Sequence, residues 1–427
     1  MSNGYDNLKE TLDNVFSGVA QTPEVTDLYD EVLMNLKEAF HDYVESGISE
    51  EEAIDKAFND LGVGDLDGLL KDLSDSARSD VSSEAAVQSD NYEQKNKLFF
   101  RPVTVTFSKK ELVNHVVIPM GNIANVSILY SSDSVDILPS FDGNFHIKEY
   151  MNIKDERLFA GWQVENNTLT IKEGQRPIIV LGHYAIKIVI CIPTTYHHNL
   201  HLKMSSGSVK IEELASLASL ITEVTSGSQK LTELTADELR VTGTSGSLNF
   251  KKINTKACKT KVNSGSIKVK QMITQSLDAV TTSGSIQIED STISGMLTLE
   301  STSGSLKLEG SITHEMVLHT TSGSIKGDVS RVSGSFKSRS GSIKLITDEL
   351  AGATELSSTS GSITLQLKEE QAFAFRLRFG SGSGKVKLPK TMIYTQKSHV
   401  LEGYVGESSD VLVQAETLSG SITIKEA

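Results

Sequence analysis

Two cysteines in 427 residues, Cys191 and Cys258, are too few and too far apart for a disulfide framework or a cysteine-based metal cluster. Long apolar runs are missing too. The most apolar stretch, IIVLGHYAIKIVICIP over 178–193, is short for a membrane-spanning helix and carries His183 and Lys187 inside it. The opening MSNGYDNLKE has neither a basic n-region nor an apolar h-region, so no export signal is expected there and the product reads as soluble. A basic excess is absent as well. Residues 1–97 hold 23 Asp+Glu against 7 Lys+Arg, a net of −16; the remainder keeps 55 − 23 = 32 acids and 41 − 7 = 34 bases, a net of +2. The chain's −14 therefore belongs to its beginning, and the balance of the rest argues against nucleic acid as the main ligand.

What is present divides the chain. Within residues 1–73, Val25, Leu28, Val32, Leu36, Phe40 and Tyr43 recur at helical spacing, with Pro23 suited to a first turn and Gly47 to an end. Ser49 and Glu52 form a capping-box pattern ahead of Ala53, Ile54, Ala57 and Phe58, and Gly62 closes that stretch. The spacing predicts a small acidic helical bundle. Residues 74–97 lack large apolar side chains and read as a flexible linker. From residue 98 the period changes to two. Residues 98–193 read as irregular β-structure leading into a regular array over 194–427.

That array carries Ser-Gly-Ser turns centred on Gly207, Gly227, Gly246, Gly265, Gly284, Gly304, Gly323, Gly341, Gly361, Gly382 and Gly420. The first ten are 18 to 21 residues apart; the last interval, 38 residues, reads as two periods with one degenerate copy. Apolar side chains stand two and four positions after almost every glycine, as on one face of a strand. A 19-residue unit of two short strands cannot bury that face alone, whereas stacked units can. The expected fold is mainly β: a parallel β-solenoid behind a small helical bundle. Glycine suits the positive φ of a sharp corner, and the flanking serines can form hydroxyl ladders.

The strongest surface feature is the column three residues after each glycine, which holds Lys210, Lys230, Lys268, Lys307, Lys326, Lys344 and Lys385. It reads as a cationic strip for anionic envelope polymers, lipid headgroups or the chain's own acidic bundle. The plainer reading is of outward strand lysines neutralised by Glu212, Glu289 and Glu309. The residue three before each column lysine is the turn glycine, so a Ser-x-x-Lys arrangement never arises in these turns and nucleophilic catalysis is not expected. His197 and His201 would lie about 13 Å apart on a strand, too far for one ion. Trp162 reads as packing a cap.

The turn–strand repeat, led in by YAIKIVICIPTTYHHNLHLKMSSGSVKIEEL, resembles the bacterial putative adhesin family of β-strand-repeat proteins. VAQTPEV (19–25) and SGISEEEAIDKAFNDLG (46–62) resemble the HAAS-type helical signalling domain. The pairing resembles envelope-associated proteins of Gram-positive bacteria, some relatives of which sense or resist cationic antimicrobial peptides. The resemblance implies a non-enzymatic binding or display protein with no cofactor. Its partners would be anionic envelope polymers, cationic peptides or a membrane protein. A cytoplasmic scaffold whose helical module docks a regulator is the alternative, and location inside or outside the cell stays open. No capping element is seen after LSGSITIKEA, so the reading is of a last strand with a free edge, which either Lys425-Glu426 blunts or a partner, including a second copy, pairs with.

Overall fold

Amphipathic spacing organises the N-terminal residues. In the computed structural model, which describes residues 2–16, part of 29–44, 48–60, 103–104, 109–176, 180–181, 185–407 and 409–427, helix α1 spans Ser2–Val15 and helix α2 spans Glu50–Asp60. Leu8, Leu12 and Phe16 meet Val32, Leu36, Ala57 and Phe58 in one apolar cluster, with Phe40 and Ile54 packed against it. The Ser49 hydroxyl accepts a hydrogen bond from the Glu52 N–H at 3.4 Å, while the Glu52 carboxylate pairs with Lys56. Val25, Leu28, Pro23, Gly47 and Gly62 lie outside the described residues. This region belongs to a unit of Met1–Glu111, Met151–Phe159 and Gly174–Ala185.

The second unit comprises Leu112–Tyr150, Ala160–Glu173 and Ile186–Ala427. Each repeat supplies one strand before its Ser-Gly-Ser corner and one after it, together a rung. Like strands of successive repeats pair in parallel. Before the corner Leu239 stands beside Cys258, and Cys258 beside Leu277; after it Leu231 stands beside Phe250, and Phe250 beside Val269. A constant chain interval thus becomes a constant register, and identical positions form columns about 4.8 Å apart. The columns two and four after the glycine are buried, as in Ile267, Ile286, Leu306 and Val269, Ile288, Leu308. Gln229 is the polar exception, and it is satisfied: its side chain accepts from Thr222 at 2.5 Å and donates to the Thr242 carbonyl at 2.7 Å. The rung holding the buried Phe336 also has two glycines: a Cβ on Gly334 would stand 2.0 Å from the Met316 carbonyl oxygen, and one on Gly327 would stand 3.0 Å from the Leu345 side chain.

The corners explain the glycines by closeness more than by conformation. A Cβ on Gly304 would stand 1.8 Å from the carbonyl oxygen of Gly284, and one on Gly227 would stand 1.7 Å from that of Gly207. The same clash recurs, at 2.0 to 2.5 Å, for Gly246, Gly265, Gly284, Gly323, Gly341, Gly361, Gly382 and Gly420. Positive φ is confined to Gly207, Gly227, Gly246, Gly382 and Gly420. The expected hydroxyl ladder forms on the serine after the glycine, where Ser285, Ser305 and Ser324 N–H groups donate to Ser266, Ser285 and Ser305 hydroxyls. A second ladder went unread in the sequence. Thr281, Ser301, Thr320, Ser338, Ser358 and Thr417 are buried three residues before their glycines, and each donates to the glycine carbonyl of the adjacent rung at 2.8 to 3.0 Å.

Both ends of the stack exchange the order of their rungs. Leu356 pairs with Ala415 and Ala415 with Leu377; Ile363 pairs with Ile422 and Ile422 with Gly384. The last repeat, Leu412–Glu426, therefore lies between two rungs that precede it in the chain. This corrects two expectations. The final strand is paired on both sides and leaves no free edge. The 38-residue interval holds no degenerate repeat but a hairpin, in which Thr391–Lys397 runs antiparallel to Val400–Val405, and that strand runs antiparallel along Phe373–Arg378. An antiparallel cover closes the open edge of the strand before the corner, Phe373–Ser381, in the last rung.

The other end mirrors this. Asn125–Tyr130 and Val135–Ser140 pair with Asn199–Ser206 and Val209–Glu212 on one side, and with Thr168–Lys172 and Ile186–Pro193 on the other. Gly161–Glu165 covers the outer strand through a two-residue turn, Asn166-Asn167, with both φ values positive. The stretch read as an irregular lead-in thus supplies two rungs. Nothing marked them, because Ser131–Ser134 turns the corner with Asp133 stacked where later rungs have glycine.

Candidate functional site: the cationic faces of the stack

Register decides what the lysine column can do. Lys210 stands beside Lys230, Lys230 beside Asn249, and Asn249 beside Lys268. Further on, Lys307, Lys326 and Lys344 are consecutive neighbours, and Lys385 joins the column through Thr364 and Thr423. Every lysine singled out in the sequence therefore occupies one continuous column. They are not equivalent. Lys210 pairs with Glu212 at 2.6 Å, Lys307 with Glu309 at 2.8 Å and Lys268 with Glu289 at 3.2 Å. The Glu212 carboxylate holds the Lys210 ammonium above its ordinary range. Burial opposes ionisation of Glu289, and the ammoniums of Lys268 and Lys270 outweigh it, keeping that carboxyl below the usual range.

Lys230, Lys326, Lys344 and Lys385 are exposed and form no ion pair among the described residues. The carboxylate nearest in sequence to Lys326, Asp328, is taken by Lys368 at 2.7 Å, and Lys368 also holds Asp348. Lys326 and Lys344 are thus like charges side by side with nothing between them, an arrangement that costs stability. The column can attract anions at those positions. Elsewhere it is neutralised within itself.

The histidines of YHHNLH do not converge. His197 meets the Ser216 carbonyl at 3.3 Å, His198 packs edge-on to Tyr196, and His201 lies 3.6 Å from Glu223. A different histidine pair does come together. His115 and His146 share a 2.9 Å hydrogen bond with rings stacked, and His146 bonds Asp142 through its other nitrogen, also at 2.9 Å. Burial, then the charges of His146 and Lys148, hold His115 below its ordinary pKa. The residues are 31 apart in sequence, so no spacing signalled them. Trp162 does sit in a capping strand, but 43% of it remains exposed. Burial pushes the Cys258 thiol up to about 12, which removes it from nucleophilic chemistry.

The Toastrack DUF4097 family matches this chain twice, over residues 123–309 and 295–425. The chain belongs to the Toastrack DUF4097 family. Each of the two Toastrack matches includes one end with exchanged rungs. Two solved structures are similar to the chain: a putative adhesin from Parabacteroides merdae, 13% identical, TM-score 0.36, covering 62% of this chain and 95% of its own; and a putative adhesin from Bacteroides fragilis, 12% identical, TM-score 0.31, covering 74% and 97%. At those scores neither likeness carries a statement about function. A comparison with curated proteins finds no match.

Proposed function

We propose that this Toastrack protein is a non-enzymatic binding and display protein of a Gram-positive cell envelope, working in adhesion or in sensing cationic-peptide stress. Its stack is read as a β-solenoid that offers a rigid surface, and its acidic helices, similar to HAAS-type modules, as a docking element. The observation that carries the reading is the lysine-rich column, in which only Asn249, Gln287, Thr364 and Thr423 stand between the lysines. One outward position is held in register through the regular repeats, and exposed ammoniums at Lys230, Lys326, Lys344 and Lys385 are left for an outside anion. Teichoic-acid-type polymers fit that chemistry. One observation favours a second reading, a cytoplasmic scaffold: Glu50, Glu51 and Glu52 open α2 as an acidic turn suited to a basic regulator.

Protease shaving of intact cells separates the two. The envelope reading expects loss of the repeat region while a cytosolic control survives. Cleavage only after lysis would contradict it and favour the scaffold.

A further inference from the structure

The most uneven charge in the stack lies outside the lysine column. Residues 248–277 contain seven lysines and not one Asp or Glu. Neighbouring rungs neutralise four of them, through Lys252–Glu233, Lys256–Asp237 and the pairing of Lys268 and Lys270 with Glu289. Around Lys259 and Lys261 no such ion pair forms among the described residues, although Asp278 stands beside Lys259 in register. Arg240 and Lys259 are direct register neighbours, about 4.8 Å apart. Lys261 follows Lys259 on the same face, about 6.6 Å along the strand. All three are exposed, and none forms an ion pair among the described residues. Adjacent like charges destabilise a sheet, so this arrangement lacks a structural benefit.

We propose that Arg240, Lys259 and Lys261 form a docking site for a linear, phosphate-bearing polymer chain. The site goes beyond the lysine column, which lies on the strands after the corner. A groove of about 280 Å³ adjoins it, with Lys203, Lys261, Thr242, Thr244 and Asn263 in its wall beside one carboxylate, Glu223, so hydrogen-bonding groups stand beside the charges.

Carboxylates set the width. Along the Lys261 column, Glu223 lies two rungs to one side and Glu300 two rungs to the other, and Asp278 is the neighbour of Lys259 on the side opposite Arg240. A flat anionic bilayer would press against all of these. A single chain running along the strands meets the cations and passes between the acids.

The test is equilibrium binding of fluorescently labelled long-chain inorganic polyphosphate to the full chain at several salt concentrations. R240Q/K259Q/K261Q should lower affinity about tenfold or more and reduce the logarithmic salt slope by about two, since each lost phosphate contact on a single strand is worth about 0.7. D278N should raise affinity several-fold. Unchanged thermal melting shows that these exposed substitutions leave the fold intact. K326Q/K344Q, measured in parallel, reports on the lysine column, so either site can fail without the other. A triple variant that binds polyphosphate as the parent does overturns the proposal. So does capture of parent and triple variant alike by phosphatidylglycerol vesicles that polyphosphate cannot compete away.

Discussion

Gly304 shows how closely adjacent rungs approach at the corner. Its Cβ would have to share space with the Gly284 carbonyl, at 1.8 Å, and both atoms are backbone, so neither can step aside as a side chain would. Gly352 differs: its nearest neighbour, the Ser333 Cβ, is 3.4 Å away, an ordinary contact, and its φ is not positive. Gly304→Ala is therefore expected to destabilise by about 1–3 kcal/mol or more, and Gly352→Ala to leave stability nearly unchanged. Thermal or urea melting of the two variants checks this; equal effects would show that the corners are looser than described. The sequence showed that glycine was required here but suggested a conformational reason, since φ > 0 is the commoner cause. Proximity of a neighbouring rung cannot be read from one strand's residues. The buried hydroxyls of Thr281 through Thr417 escaped notice for a related reason. The first four repeats carry Met204, Val224, Gly243 and Val262 at that position and a later one carries Phe379, so no single residue type marks it.

At the scale of strands and rungs, the 19-residue period was legible because identical corners recur at near-constant intervals. Chain order was a poor guide only at the ends. A period gives spacing along the chain, whereas rung order depends on which edges remain open when the last strands arrive. Coverage by antiparallel hairpins settles that, through side chains such as Phe373, Phe375 and Leu377 that are buried beneath the hairpin strand. Leu412–Glu426 is synthesised after both rungs that flank it, so its slot is filled last. Deleting residues 408–427 should expose two facing strand edges, lower the melting temperature and broaden the transition. A peptide of residues 409–427 supplied in trans should restore much of the loss by pairing as Ile422 does with Ile363 and Gly384. A deletion variant that melts like the parent would mean that the flanking rungs close on each other without the inserted strand.

Across the whole molecule, charge is distributed by purpose more than by sum. The near-neutral total after residue 97 concealed an acid-free stretch at 248–277 and the unpaired column lysines, because carboxylates elsewhere balance the count. Surface ion pairs such as Lys252–Glu233 and Lys256–Asp237 are each worth at most about 1 kcal/mol, so they tune the field of the stack more than they hold it together. Lys210 and Lys307, singled out with the rest of their column, are occupied by their own glutamates, whereas Arg240, Lys259 and Lys261 form no ion pair among the described residues. Only register, which sets residues 19 apart side by side, makes that difference visible. The most direct measurement is the affinity of the full chain for poly(glycerol phosphate) across a salt series. The account predicts binding that weakens linearly in the logarithm of salt concentration and weakens further in K326Q/K344Q. Binding no better than background at low salt, or binding indifferent to salt, would contradict it.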